Sequence, residues 1–326
     1  MLLALPLFLL LLAAPVVAEA EPAGKVYRIG VLANALATSD GPTFLGFLEA
    51  LKGLGYVQGR NMDIEWRSSE GETGQLPGLA MELLRAKVDI IFATGLQPAL
   101  AAEEATKTVP IVFVVAADPV GQRLVQSLAR PGGNATGVSA YVPQESADKA
   151  LQSLRAVMPS LTRLAVLNNP RNPAQRELLA GPLPAAARRA GIVLLSFPVE
   201  SAGELAGAFD AAQRERAQAM YVLGDVLTFV QRTRIAELAV KHRLPAIYTT
   251  RGAVEAGGLM AYGPNLRELF RRAAAYVDKI LKGSSPSALA VESSSRYELI
   301  VNVKTAKQLG LAVPVSLLKQ AALVIE

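Results

Sequence analysis

The chain has 326 residues, 51% of them apolar, with 33 basic against 28 acidic side chains, one histidine and no cysteine. That length holds one large domain or two ordinary ones and buries an adequate core without covalent staples. No cysteine means no disulfides, thiolate metal sites, cysteine nucleophiles or lipidated N-terminal cysteine, and the lone His242 excludes a serine triad or a histidine metal cluster. The net charge of +5 is interspersed with acids, as in Arg214-Glu215-Arg216 and Arg267-Glu268. With no helix-turn-helix, zinc finger or aromatic–basic stripe, it predicts a solvated surface and no nucleic-acid partner.

The chain opens on an almost unbroken apolar run, Leu2 to Val17, followed by the small-residue patterns Val16-Val17-Ala18 and Ala18-Glu19-Ala20. Residues 1–20 therefore read as a signal peptide cleaved after Ala18 or Ala20, which sends the protein to the periplasm. The alternative is a retained anchor, for which the run is short, since a span needs about 20 residues. No later stretch approaches that length, so the mature chain is expected not to span a membrane.

A strand at Val26–Leu32 leads through the turn Ser39-Asp40-Gly41-Pro42 into a helix with Phe44, Leu45, Phe47, Leu48 and Leu51 on one face. Strand Met62–Trp66, a helix around Leu79–Leu84, strand Val88–Ala93 and a short helix near Ala99–Ala105 continue the alternation. Ile111–Ala117 is a continuous apolar run that stops at Asp118-Pro119. It reads as a strand buried on both faces, with Asp118 capping a following helix and Pro119 in its first turn. Alternating βα units of this kind build parallel sheets with right-handed crossovers.

The rhythm restarts at strand Leu164–Leu167 and runs through strands Ile192–Phe197, Met220–Leu223 and Ala246–Tyr248, with a helix predicted from Thr228 to His242. Strand Leu259–Gly263, the strongly amphipathic helix from Pro264 to Leu281 and strand Tyr297–Val303 complete the chain. The expected fold class is α/β: two Rossmann-like lobes, each with a parallel central sheet. The first lobe takes 25–138 plus 264–285, and the second takes 139–263 plus 286–326.

The chemistry sits at strand ends. Asn34, Ser39 and Asp40 follow the first strand, Thr94-Gly95 the third, and Ala117-Asp118 the fourth; Asn168-Asn169 and Asp225 close strands of the second half. Open α/β proteins bind ligands at the carboxyl ends of their strands, where helix N-termini offer N–H groups to a carboxylate. Asp118 or Asp225 is a receptor for an ammonium group, and Tyr141, Tyr248 and Tyr262 are candidate apolar walls with a polar tip. Asp118 and Asn169 have an alternative role as helix caps, and Tyr262 as hinge packing. No nucleophile elbow or P-loop is present, and no cofactor or metal is expected, so binding is favoured over catalysis.

Several motifs carry a family resemblance: Gly55-Tyr56-Val57-Gln58-Gly59-Arg60-Asn61, Asp118-Pro119-Val120-Gly121, Ala129-Arg130-Pro131-Gly132-Gly133-Asn134-Ala135-Thr136-Gly137, Gly257-Gly258-Leu259-Met260-Ala261-Tyr262-Gly263 and Val301–Leu311. Together, from Tyr27 to the C-terminus, the chain resembles the TrpX/YtmI-like substrate-binding proteins of ABC transporters. The resemblance implies a type I periplasmic-binding-protein fold with three crossovers and a ligand cleft between the lobes. It also implies a small-molecule solute, possible amino-acid ligands, a permease and an ATPase as partners, and a monomer that closes about a hinge. Two departures stand out. Gly181-Pro182-Leu183-Pro184 interrupts a helical segment, predicting a kink or two short helices, and Ala117 stands where relatives often carry Ser or Gly. The alternatives are a ligand-sensing subunit of a receptor and a periplasmic enzyme using Asp118 or Asp225 as acid or base.

Overall fold

The computed structural model describes residues 25–34, 41–116, 118–140, 144–293 and 297–326; the expected signal peptide lies outside them. The first half forms β1 (Tyr27–Ala33), α1 (Pro42–Gly53), β2 (Met62–Ser68), α2 (Leu76–Arg85), β3 (Ile90–Thr94), α3 (Leu96–Ala105), β4 (Ile111–Ala116) and β5 (Ala135–Ser139). A second series follows: α4 (Gln144–Val157), β6 (Arg163–Asn168), α5 (Pro173–Ala180), α6 (Pro182–Arg189), β7 (Val193–Pro198), α7 (Leu205–Arg214), β8 (Ala219–Val222), α8 (Val226–Val230), α9 (Arg232–Lys241), β9 (Ala246–Tyr248), α10 (Arg251–Glu255) and β10 (Met260–Pro264). The chain then runs through α11 (Leu266–Leu281), β11 (Glu292–Ser293), β12 (Tyr297–Asn302), α12 (Val303–Gln308), α13 (Val315–Leu318) and β13 (Ala321–Ile325).

These strands make two sheets, six-stranded in the order β11-β5-β4-β3-β1-β2 and seven-stranded in the order β13-β12-β10-β9-β8-β6-β7. β3 and β6 are apolar along nearly their whole length and buried on both faces, as strands of a helix-covered parallel sheet must be. One pairing departs from the parallel pattern. β12 enters the second sheet antiparallel to β10, with Tyr262 opposite Leu299 and Pro264 opposite Tyr297. The reason is local: β12 starts at the edge where β10 ends, having just crossed from the other sheet.

The chain passes between the sheets three times: from β5 to α4, from β10 to α11, and from β11 to β12. α11 returns to the first sheet, where Leu269, Phe270, Ala273 and Val277 join a core with α1. There Phe47 and Phe92 stack with centroids 4.1 Å apart, and Phe270 meets Phe92 edge-on at 5.5 Å. The segment after α11 also stays with the first sheet, whereas the sequence reading carries 286–326 into the second. Thr136 Oγ1 donates to the Leu289 carbonyl, Val291 N–H donates to Leu128, and β11 pairs with β5.

Three local outcomes qualify the sequence reading. No helix follows β4, and residues 118–134 run as turns. The expected helix 228–242 is two helices, α8 and α9, divided at Gln231, and α8 starts two residues early on a capping box of Asp225 and Thr228. Gly181 separates α5 from α6, giving the two short helices that Pro182 and Pro184 predict. No helix among the described residues is long and apolar enough to cross a membrane.

Candidate functional site

The carboxyl ends of the parallel strands in both sheets form two rims. On the first, Asn34 closes β1 and is buried, and Thr94 closes β3 beside Ala33 in register. Along β3, Ile90 and Phe92 face the core shared with α1, while Ile91 and Ala93 face the α2–α3 side. Alternation therefore turns Thr94 toward the first turn of α1. Thr94 is 2% exposed, and its Oγ1 has no hydrogen-bond partner. Ser69, just past β2, is equally buried, and its Oγ is also without a partner. Leaving a buried hydroxyl unpaired costs about 1–3 kcal/mol, so two on one rim call for an explanation.

The helices that start on this rim are open at their amino ends. α1 begins on Gly41 and α3 on Gly95, which has φ +117; neither has a side-chain cap or an acidic residue in its first turn. A helix N-terminus carries about half a positive charge and unpaired N–H groups, which favour an anion.

Asp118 stands apart from this arrangement. It adopts φ +44, and its Oδ1 accepts the Gly121 N–H at 2.9 Å. A β-carbon on Gly121 would lie 1.9 Å from Asp118 Oδ2, so the motif Asp-Pro-Val-Gly is a turn whose carboxylate folds over its own glycine. The expected helix cap is therefore a turn-former: Asp118 is at φ +44 and the residues after it form a turn, not a helix. The strand before it is irregular too. Val115 sits at φ +60, and the β4–β5 register shifts between Val114 and Ala116. A β-branched residue there stores strain of about 1–3 kcal/mol.

The second rim is internally satisfied. The Asp225 carboxylate accepts Asn169 Nδ2 at 3.1 Å, Asn172 Nδ2 at 2.8 Å and the Leu227 N–H at 3.0 Å. Gln175 ties the two strand ends by donating to the Gly224 carbonyl and accepting the Asn169 N–H. Asn168 is buried and accepts a bond from Ser196 Oγ. Asn172 caps α5. All of the donors to Asp225 are neutral, so its negative charge stays uncompensated by any cation among the described residues.

The rims meet. The β-carbon position of Gly71, two residues after Ser69, lies 3.6 Å from Val226 Cγ1, the residue after Asp225. This approach brings the loop after β2 next to the start of α8.

Tyr262 lies to the side. Its ring is 5.8 Å from that of Tyr297, and both border a hollow of about 500 Å³ along α4, with Lys149, Gln152 and Glu298. Burial raises both phenols above their ordinary pKa, aided at Tyr262 by Glu145 and at Tyr297 by Tyr221 and Tyr262. Tyr248 has a buried, unpartnered hydroxyl, but it faces the core of α9 and α10, against Gly258. Ser39, Asp40, Ala117 and Tyr141 lie outside the described residues. Sequence reasoning missed Ser69, Asn172 and Gln175. For Ser69 the signal was the pair Ser68-Ser69 at a strand end, and for the others the spacing Asn172-Pro173-Ala174-Gln175, a cap followed by an amide three residues on.

Residues 29–325 match the family described as ABC transporter substrate binding protein. The chain is 27% identical over 266 residues to the tyrosine-binding protein of Clostridioides difficile (strain R20291), covering 82% of this chain and 76% of that one. Among solved structures it is similar to an ABC domain from Streptococcus pneumoniae in complex with L-Trp, at 25% identity and a TM-score of 0.84, over 92% of this chain and 100% of that one. It is also similar to the ligand-free, open structure of a substrate-binding protein with adhesive properties from Clostridium difficile, at 27% identity and a TM-score of 0.69, over 92% and 99%. The architecture is the type I periplasmic-binding-protein fold. On both sequence and architecture, the chain belongs to the ABC transporter substrate-binding protein family.

Proposed function

We propose that the protein captures an α-amino acid in the cleft between its two rims and delivers it, as a monomer, to an ABC permease and its ATPase. It works in the periplasm after loss of the apolar leader at 1–20. The observation that carries this reading is the pair of buried hydroxyls on the first rim, Ser69 and Thr94, which have no protein partner, together with the Asp225 carboxylate on the second rim, whose hydrogen-bond donors are all neutral. A ligand with both a hydrogen-bond acceptor and a cationic group satisfies both sides at once.

Delivery depends on closure. A solute that touches both rims stabilises the closed arrangement by its differential affinity, and the permease reads the closed face. In support, the fold superposes on the L-Trp complex with a TM-score of 0.84 and on the open, ligand-free relative with 0.69, at nearly equal identity. The Gly71–Val226 contact is of the kind a closed cleft makes. The relatives described as binding tyrosine and L-Trp direct the first trials to aromatic amino acids.

The test is a thermal-shift panel of amino acids, sugars and small carboxylates on the mature protein. An amino acid at 100 times its Kd raises stability by about 2.7 kcal/mol. A panel in which only sugars or non-amino carboxylates move the transition would overturn the ligand class.

A further inference from the structure

We propose a second small-molecule site on the flank of the second lobe. The hollow between α4 and α13 takes an aromatic carboxylate, with its ring against Tyr262 and Tyr297 and its acid group on Lys149. This place is distinct from the cleft, and the assignment stands whether or not the cleft takes an amino acid.

The hollow exists because helices cover the second sheet unevenly on this face. α4 is 14 residues long, whereas the C-terminal cover is two short helices, α12 of six residues and α13 of four. Between α4 and α13, strands β10 and β12 are left open beneath a hollow of about 500 Å³. Pockets for small ligands run from about 300 to 1,000 Å³. Alternation along β12 decides what faces this space. Leu299 and Val301 join the core under α4 and Ile300 the opposite one, so Tyr297 shares the α4 face and the Glu298 side chain is directed away. Glu298 borders the hollow, but its carboxylate is held by Asn265 Nδ2 at 2.6 Å.

Three observations define the occupant. The two half-buried tyrosine rings, 5.8 Å apart and tilted by 31°, make an aromatic wall beside buried Leu299 and Leu317. Val315, next to lining Ser316, is 67% exposed, the highest value for a large apolar side chain among the described residues. Lys149 makes no ion pair among the described residues: its neighbour Asp148 is taken by Arg189, and Glu145, one turn earlier on α4, does not pair with it. An aromatic ring gains burial and edge or offset contacts against such a wall. A carboxylate on that ring gives Lys149 the counter-charge it lacks. Burial raises both phenols above their ordinary pKa, so they face the acid group as neutral O–H donors. A sugar would leave Lys149 unpaired, and a cationic ligand would be repelled by it.

The test titrates benzoate, phenylacetate and indole-3-acetate into the full mature protein, with benzamide and benzyl alcohol as neutral counterparts, read by ligand-observed NMR. At least one acid should bind with a Kd below about 5 mM, and at least about fivefold more tightly than the neutral compounds. Lys149→Gln should weaken that acid about fivefold, and Lys149→Arg should hold it within about twofold of the native protein. Lys149 is exposed on α4, so both variants should melt as the native protein does. Asp225→Asn, at the cleft, should change the affinity by less than about twofold.

The site is overturned if none of the acids binds below that limit, if the neutral compounds bind as well, or if Lys149→Gln leaves the affinity unchanged. An acid that responds to Asp225→Asn and ignores Lys149→Gln sits in the cleft, which overturns the site equally.

Discussion

At the carboxyl edge of the first sheet, α1 and α3 begin on glycines and no side chain caps either; at the matching edge of the second, Asn172 caps α5 and Asp225 caps α8. The first edge keeps two hydroxyls without partners, while the second binds its polar atoms into a network of Asn169, Asn172, Gln175 and Asp225. Both edges come from the same βα repeat, so topology does not explain the contrast. The choice of residue at the cap does. A glycine cap leaves helix N–H groups for a visitor, and an aspartate cap spends them on itself while keeping a negative charge.

If the second rim stands by itself, breaking it should cost the empty protein most. Asp225→Ala removes a helix cap and strands the amides of Asn169 and Asn172, so urea unfolding of the unliganded protein should show a loss of about 2–3 kcal/mol. A loss below about 0.5 kcal/mol would mean that water already serves these groups and that the contrast between the rims is superficial.

The contact between the rims comes next. Gly71 has φ +101, and a β-carbon there would touch Val226. Gly71→Val brings a branched side chain to a left-handed backbone and crowds the contact, so ligand affinity should fall about tenfold while liganded scattering profiles stay near the open dimensions. Unchanged affinity would show that closure does not need this approach.

The first rim should behave oppositely to the second. Thr94→Val deletes an unpaired hydroxyl at nearly constant shape, so unliganded stability should hold or rise by up to about 1 kcal/mol. The stabilisation by saturating ligand should shrink by about 1.4 kcal/mol for a tenfold loss of affinity. A destabilised empty protein would mean that the hydroxyl serves the fold. The smallest effect belongs to Tyr248→Phe, which removes the third unpartnered hydroxyl from the core of α9 and α10. Stability should change by less than about 1 kcal/mol, and ligand stabilisation should stay as it was. A lost ligand response would place Tyr248 in the cleft after all.

Much of this contrast was legible from residues alone. The βα alternation gave the layers, and Asn169 and Asp225 were candidates because short polar residues ended apolar strands. Their mutual hydrogen bond was not legible, since register between β6 and β8 is set by packing 56 residues apart in the chain. Ser69 was missed because the apolar pattern of β2 fades at Trp66 while pairing with β1 continues to Ser68. Asp118-Pro119 misled because the same dipeptide opens helices and turns; the deciding group was Gly121, whose bare Cα admits the carboxylate. β13 was invisible for another reason. Five apolar residues carry no period that separates strand from helix, and only β12 tells them to extend.

The return of α11 to the first sheet has a consequence for the order of events in folding. Phe47 and Phe92 need Phe270 to close their cluster, and β5 needs β11 to cover its edge. The first-synthesised lobe therefore cannot finish until residue 293 has been made, whereas its aromatic residues are present from residue 27 onward. A nascent chain of this design carries an unfinished, sticky half for most of its synthesis, and stays pliable until almost the whole polypeptide has emerged.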